Sequence, residues 1–166
     1  VANALQYVDN IAAALITVDP DGRAIYRANA ERYKQELTRL DDEIRQMFAS
    51  VPADRRRAVT THDAFGYFSR AYGVAFIAPI GFNTEAEPSA ADIGRIIKQV
   101  RRDRIPAVFM ETISDPRLLE RIRLESGARI GGTLYSDALS LPNGPAPTYA
   151  AMMRYNAATI AKALSN

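Results

Sequence analysis

Residues able to do chemistry follow each of four short apolar runs in this chain. His62 and Asp63 follow the first run, Glu85 lies beyond the second, Glu111 follows the third and Asp137 the fourth. If the runs are parallel strands of one sheet, their carboxyl ends meet at a common edge, which is where such sheets bind ligands. We therefore expect one imidazole and several carboxylates to converge at that edge.

Three interpretations of this cluster stay open. His62, Asp137 and Glu111 could hold a divalent metal, since imidazole and carboxylate suit Zn²⁺ or Mn²⁺. His62 paired with a carboxylate could instead perform acid–base or hydrolytic chemistry. The third interpretation is structural: Asp63 or Asp137 caps the next helix, and His62 is a strand-end histidine whose hydrogen bonds are satisfied. A metal site takes about four ligands, so the metal interpretation is incomplete with the two or three found here.

The spacing of apolar residues predicts alternating strands and helices after residue 57. Strands are predicted at 58–61, 74–79, 107–110 and 130–134, each followed by a helix, at 64–72, 89–102, 116–126 and 149–164. Strands that alternate with helices form parallel sheets, because parallel neighbours need long crossovers. The predicted fold class is therefore α/β, with a four-stranded parallel sheet flanked by helices.

Capping residues support three of these helix starts. Ser89 and Asp92 form a capping-box pattern, Asp115 stands before a first-turn Pro116, and Thr148 can cap the last helix. These positions are where we expect the chain to turn from loop into helix.

The first third of the chain is predicted to be helical. A break at residues 19–22 places Asp19 as a cap and Pro20 at the first helical position. An apolar stripe then continues for about 30 residues, to Pro52, a length of ~45 Å. Either a bent helix or a strut leading to a second lobe fits this pattern. Because the preceding apolar run starts without an upstream cap, we expect the chain to be a fragment.

Composition excludes several classes of site. The chain has no Cys and one His, which excludes a disulfide scaffold, a thiolate zinc finger, an iron–sulfur site and a three-histidine zinc site. It contains no G-x-S-x-G, P-loop or G-x-G-x-x-G motif. No apolar run approaches the roughly 20 residues that span a bilayer.

The positive charge is small and clustered in arginines. The formal net charge is +2, and the clusters are Arg55–Arg57 and Arg101–Arg104. They are not interleaved with aromatic residues, as a nucleic-acid interface would require. Because they stand where helices end, we expect them to complement helix C-termini, and no nucleic-acid partner is predicted.

Several motifs, in order, resemble a known family. They are TTHDAFGYF at 60–68, VFMET at 108–112, GTLYSDAL at 132–139 and the final helix around 149–156, with a similar helical connector over 19–41. In this order they resemble the zinc/manganese solute-binding proteins of bacterial ABC importers, the cluster A-I metal receptors. The resemblance covers essentially the whole chain.

The resemblance implies two α/β lobes joined by a long rigid helix, with one metal held between them. Residues 1–53 then correspond to the helical connector and 54–166 to the C-terminal lobe, while the N-terminal lobe is missing. His62 corresponds to the third metal ligand and Asp137 to the fourth. Glu111 would lie behind the ligands or line the cleft. The first two ligands, both histidines, belong to the missing lobe and to a segment before Val1.

The function implied is capture of extracytoplasmic Zn²⁺ for import, with no catalytic residue. His62 favours zinc over manganese, because imidazole suits zinc and extra carboxylate suits manganese. The implied partners are an ABC permease and the missing lobe, and the implied location is periplasmic or lipid-anchored. The alternative is a metal-dependent or His–Asp hydrolase that uses the same strand-end cluster. The apolar stripes left uncovered without the other lobe predict self-association of the fragment.

Overall fold

Four parallel strands form the sheet that carries the candidate residues. The computed structural model describes residues 1–79, 89–112 and 116–165, with no side-chain description at Pro116. The strands are β1 (Arg57–Val59), β2 (Ala75–Ile77), β3 (Ala107–Glu111) and β4 (Arg129–Leu134). Their order across the sheet is β2-β1-β3-β4, and all three pairings are parallel. The α/β class with a four-stranded parallel sheet is confirmed.

The helices lie where the apolar spacing predicts them. They are α1 (Ala2–Val18), α2 (Arg23–Ala49), α3 (Gly66–Tyr72), α4 (Ala90–Arg102), α5 (Pro116–Ser126) and α6 (Tyr149–Ser165), with a short 3-10 turn at Ala53–Arg55. From β1 onward every element begins and ends within two residues of its predicted bounds. No helix in the described part of the chain is long and apolar enough to cross a membrane.

Two of the three predicted caps are confirmed, and the third lies outside the described residues. At α4, Ser89 and Asp92 form the full capping box, with the Asp92 amide donating to Ser89 Oγ. At α6, the Ala151 amide donates to Thr148 Oγ1 at 3.2 Å, which confirms that cap. The Asp115 cap and the candidate Glu85 lie outside the described residues.

The predicted start of the long helix at Pro20 is wrong. Helix α2 begins at Arg23 and has 27 residues, about 40 Å of helix. The Asp19 carboxylate closes a turn instead, accepting from the Tyr26 hydroxyl at 2.6 Å and from the Gly22 amide at 3.3 Å. The hydrogen bond from Tyr26 lowers the pKa of Asp19 below its ordinary value. This turn delays the helix by three residues.

The chain divides into two compact units, residues 1–46 and 47–166. In the first unit, Lys34 on α2 makes an ion pair with Asp9 on α1 at 2.8 Å. Helix α1 has no buried residue. The second unit contains the whole sheet and its covering helices.

The core of the second unit joins the sheet to α4 and α5. Val59 and Val108 on neighbouring strands are fully buried, and α4 and α5 cover them with a cluster of aliphatic side chains: Ile93, Ile96, Ile97, Val100, Leu119 and Ile122. Burial of one such side chain contributes about 1.5–3 kcal/mol. This packing fixes the strands whose ends carry the candidate residues.

The arginine clusters complement helix ends, as expected. Arg55 Nη1 donates to the Ser165 carbonyl at the end of α6, at 3.0 Å. Arg101 donates to the Glu125 carbonyl in the last turn of α5, and Arg56 Nε donates to the Val51 carbonyl just after α2, at 2.9 Å. A cation at a helix C-terminus satisfies unpaired carbonyls and the helix dipole.

A glycine pair lets β4 approach its neighbours closely. The pairing of β3 with β4 skips Gly131, so that Phe109 pairs with Gly132. Gly132 has φ +140°, and a Cβ there would lie 2.7 Å from Thr159 Cγ2 on α6. A Cβ on Gly131 would collide with the Phe109 ring. This irregularity sets the register of β4 against β3, and with it the position of the residues that follow β4.

Candidate functional site

His62 lies in a short, buried segment that extends β1. Thr60, Thr61 and His62 are each at most 3% exposed. The Thr60 amide donates to the Ile77 carbonyl of β2 at 3.1 Å, which continues the strand pairing by one residue. The His62 carbonyl then accepts from Thr60 Oγ1 at 3.1 Å and from the Ala64 amide at 3.0 Å. These bonds close a turn that holds the His62 backbone in place.

Glu111 ends the neighbouring strand β3 and is buried, with its side chain 0% exposed. Its Oε1 accepts three hydrogen bonds: from the Thr61 amide at 2.9 Å, from the His62 amide at 3.1 Å and from the Thr61 hydroxyl. A buried carboxylate is costly unless donors satisfy it. Here the donors come from the segment that carries His62, so Glu111 ties the end of β3 to the end of β1.

The imidazole of His62 lies between two carboxylates. Nδ1 is 2.9 Å from Glu111 Oε2, and Nε2 is 3.1 Å from Asp137 Oδ2. Despite the short distance, Nδ1 and Oε2 do not meet the angular requirements of a hydrogen bond, and both are buried without any other partner in the described structure. The Asp137 side chain is 54% exposed and that of His62 only 4%. The Nδ1 edge of the ring therefore contacts a buried carboxylate, and the Nε2 edge contacts a carboxylate that is exposed to solvent.

A residue that the sequence analysis missed positions the Asp137 segment. Asn156 on α6 is buried. Its Oδ1 accepts from the Tyr135 amide at 3.0 Å and its Nδ2 donates to the Tyr135 carbonyl at 2.7 Å. The signal was present in the sequence as a single amide on the face of α6 that otherwise buries Ala150, Ala157, Ile160, Ala161 and Leu164. The amide continues the backbone pairing beyond β4, two residues before Asp137.

The structure therefore brings together His62, Glu111 and Asp137. Asp63 is exposed. The helix-cap interpretation fails for both aspartates. Helix α3 has Phe65 at its N-cap with no side-chain bond. In the described part of the chain, the helix that follows Asp137 is α6, and its cap is Thr148. In the described ranges, no group of three or more His, Cys, Asp or Glu side chains is arranged to hold a metal ion.

Comparison with known protein families finds one match along nearly the whole chain. The model of ZnuA, described as zinc-uptake complex component A, periplasmic, matches residues 1–163. A manganese-binding lipoprotein MntA of Halalkalibacterium halodurans is 35% identical over 165 residues, which are 99% of this chain and 55% of that protein. The iron-binding protein YfeA of Yersinia pestis is 34% identical, over 97% of this chain and 52% of that protein.

A transporter component and a solved structure are similar over the same range. The manganese ABC transporter substrate-binding lipoprotein PsaA of Streptococcus pneumoniae is 31% identical over 98% of this chain and 53% of its own length. The periplasmic zinc-binding protein TroA of Treponema pallidum superposes with a TM-score of 0.91 at 33% identity, over 95% of this chain and 59% of that one. The chain thus spans about half the length of the curated relatives it matches.

Proposed function

Because this chain belongs to the ZnuA family of periplasmic zinc-uptake components, we propose that it is part of the metal-capturing receptor of an ABC importer. The family consists of binding proteins and not of enzymes, which removes the hydrolase alternative. In this role the chain captures a divalent cation outside the cytoplasmic membrane, and the cation is the cargo. Residues 1–53 act as the connector and 54–166 as the lobe that holds its share of the metal site.

The observation that carries this proposal is the spacing of His62 Nε2 and Asp137 Oδ2, 3.1 Å. Two donor atoms bound to one cation at ~2.0–2.2 Å, with angles between octahedral and tetrahedral, stand about 2.8–3.6 Å apart. The observed distance falls in that interval. We therefore assign His62 and Asp137 as ligands, with Glu111 behind His62.

The rest of the ligand set comes from outside this chain. A protein-bound zinc takes about four ligands, and this chain has one His and no Cys. Two further histidines, one from the N-terminal lobe and one from a segment before Val1, would complete a site of three imidazoles and one carboxylate. The cation then binds where the two lobes meet, and neither lobe binds it tightly alone.

Zinc is the proposed cargo, with manganese as the alternative. Imidazole ligands favour zinc over manganese, and zinc stands above manganese in the Irving–Williams order. The relatives' names include manganese, iron and zinc. The preference for zinc therefore rests on the ligand chemistry of His62.

The proposed location is extracytoplasmic, and the proposed partner is an ABC permease. Relatives are named lipoproteins or periplasmic proteins, and one is named an ABC transporter component. A receptor that is either lipid-anchored or free in the periplasm can deliver its cation to the outer face of a permease. No nucleic-acid partner is proposed.

Competition titration against a zinc chelator tests the ligand assignment in the full-length protein. We expect His62→Ala to weaken Zn²⁺ binding at least ~100-fold, because one ligand is lost from a site with about four. Asp63→Ala is the matched control, since this neighbouring carboxylate is exposed, and its affinity should equal that of the unmodified protein. Unchanged affinity in His62→Ala would show that His62 is not a ligand.

A further inference from the structure

We propose that Glu111 is a positioning residue that selects the tautomer of His62. It accepts the Nδ1 proton and so leaves the Nε2 lone pair directed toward Asp137 and the cation. That this lone pair binds a cation rests on the proposed function. The tautomer itself is a property of the metal-free chain. A histidine can bind a metal through one nitrogen only when the proton is on the other.

The two oxygens of Glu111 have separate tasks. Oε1 is fully engaged by three donors, two amides and the Thr61 hydroxyl. These donors fix the rotation of the carboxylate, because each comes from the buried segment that follows β1. The remaining oxygen, Oε2, is therefore held toward the imidazole and is not available to turn away.

Oε2 and Nδ1 are left to satisfy each other. Both atoms are buried, and neither has a hydrogen-bond partner in the described structure. They lie 2.9 Å apart, the usual length of an N–H···O bond. The distance already suits a hydrogen bond, so only the angle between the two groups must change. Leaving two buried polar atoms unpaired is unfavourable, because burial removes the water that would otherwise satisfy them.

Only one tautomer satisfies this contact in a neutral ring. Oε2 of an ionised carboxylate can accept but not donate, so Nδ1 must carry the hydrogen. Nε2 is then unprotonated. Asp137 Oδ2 lies 3.1 Å from Nε2 and could accept a proton from the opposite tautomer, but the Asp137 side chain is 54% exposed, so that solvent can satisfy it. Glu111 Oε2 is buried and has no other partner in the described structure, so its contact decides the tautomer. A free imidazole of histidine favours the opposite tautomer, with hydrogen on Nε2, so the protein environment reverses the intrinsic preference.

Nitrogen NMR of the metal-free chain tests the tautomer directly. His62 is the only histidine, so the two imidazole nitrogens give a single pair of side-chain signals in an 18.3 kDa protein. The pH is raised until these signals stop moving, so that the neutral ring is observed. We expect Nδ1 to show the protonated, pyrrole-type shift and Nε2 the unprotonated, pyridine-type shift. The opposite assignment would overturn the proposal.

Glu111→Gln separates tautomer selection from structural support. The three donors around Oε1 require the amide oxygen at that position, so the amide NH₂ must face Nδ1. Nδ1 then becomes an acceptor and the proton moves to Nε2. We expect the two nitrogen signals to exchange character, while the circular dichroism spectrum stays unchanged. In the full-length protein, Zn²⁺ affinity should fall about 10–100-fold.

Glu36→Gln, the same change at an exposed glutamate on α2, is the matched control and should keep the tautomer of the unmodified chain. If Glu111 served only as structural support, Glu111→Gln would keep that tautomer as well, and this result would contradict the proposal. If Glu111→Gln does not fold, the signals of the unmodified chain alone still decide the tautomer. Failure of the proposed function would appear in the His62→Ala titration and leave this tautomer unaffected.

Discussion

At the scale of residues, His62 meets a carboxylate at each of its ring nitrogens, and the two carboxylates differ in their surroundings. Glu111 is fully buried, while more than half of the Asp137 side chain is exposed. A buried carboxylate held by fixed donors keeps its position, whereas an exposed one can meet a cation arriving from solvent. The pair therefore combines a fixed support with a carboxylate that solvent can reach. Asn156 provides similar support for the segment that ends in Asp137.

The Asn156 contact leads to a prediction at this scale. Replacing Asn156 with Ala leaves the Tyr135 amide and carbonyl without their partner. Unpaired groups of this kind cost about 1–3 kcal/mol, and we expect that loss in the free energy of unfolding, measured in urea. Asn10→Ala, at an exposed Asn on α1, is the control and should stay within ~0.5 kcal/mol. Equal stability of the two variants would contradict the assigned role.

At the scale of elements, the start of α4 shows how a local motif holds a helix after a strand. Ser89 Oγ donates to Asp92 Oδ2 at 2.6 Å, and the Asp92 amide donates back to Ser89 Oγ at 3.2 Å. Arg95, one turn on, also binds the Asp92 carboxylate. Four residues of α4 are buried in the core against the sheet. The cap therefore stabilises a helix on which the position of the strands depends.

The cap also makes stability depend on pH in a defined direction. The Ser89 hydroxyl, followed by Arg95, holds the pKa of Asp92 below its ordinary value of 3.8. Because the folded pKa is the lower one, ionised Asp92 contributes its full stabilisation above pH ~3.8, and the contribution is lost as pH falls through the folded value.

Ser89→Ala should therefore raise the pKa of Asp92 toward its ordinary value and lower stability by about 1 kcal/mol. An NMR titration of the Asp92 carboxyl carbon measures the pKa, and urea unfolding at neutral pH measures the stability. The Asp19 carboxyl serves as an internal control, since its low pKa depends first on Tyr26 and should not move. A low Asp92 pKa retained in Ser89→Ala would assign the effect to Arg95 instead.

At the scale of the molecule, the first unit presents an apolar surface. A groove of about 930 Å³ is lined by residues of α1 and α2, among them Val8, Ile11, Leu15, Tyr26 and Tyr33. Ile11 and Val18 on α1 are 59% and 79% exposed. Apolar surface gathered on one helix pair in this way is typical of an interaction site. When this chain is alone in solution, a second copy of it can cover this apolar surface.

Self-association is accordingly expected for this chain alone. Sedimentation velocity should show an average mass that rises with protein concentration. The double substitution of Ile11 and Val18 by Glu should raise the dissociation constant at least ~10-fold, because each change places a charge on the apolar face. Leu141→Glu, at an equally exposed leucine in the second unit, should leave association unchanged. A mass that is independent of concentration would rule out this mode of association.

Local signals in the amino-acid sequence predict the elements and the edge of the sheet that carries the candidate residues. Apolar periodicity and caps are local signals, so they predicted the strands and helices of the second unit to within two residues. Parallel topology then placed His62, Glu111 and Asp137 at one edge. The predicted start of α2 at Pro20 is wrong because the Asp19 side chain binds the hydroxyl of Tyr26, seven residues further along the chain, and this contact holds the residues between them in a turn.

How those residues meet depends on contacts between segments far apart in the chain. Glu111 binds Thr61 and His62 across about 50 positions of sequence, and Asn156 binds Tyr135 across 21. Such contacts depend on strand register, on the irregularity at Gly131–Gly132 and on the rotation of α6 against β4. No periodic pattern encodes these quantities, because a shift of one residue in a strand reverses the faces of all its side chains. The apolar spacing thus predicts which side chains reach the sheet edge, and the packing of elements far apart in the chain sets the distances between those side chains.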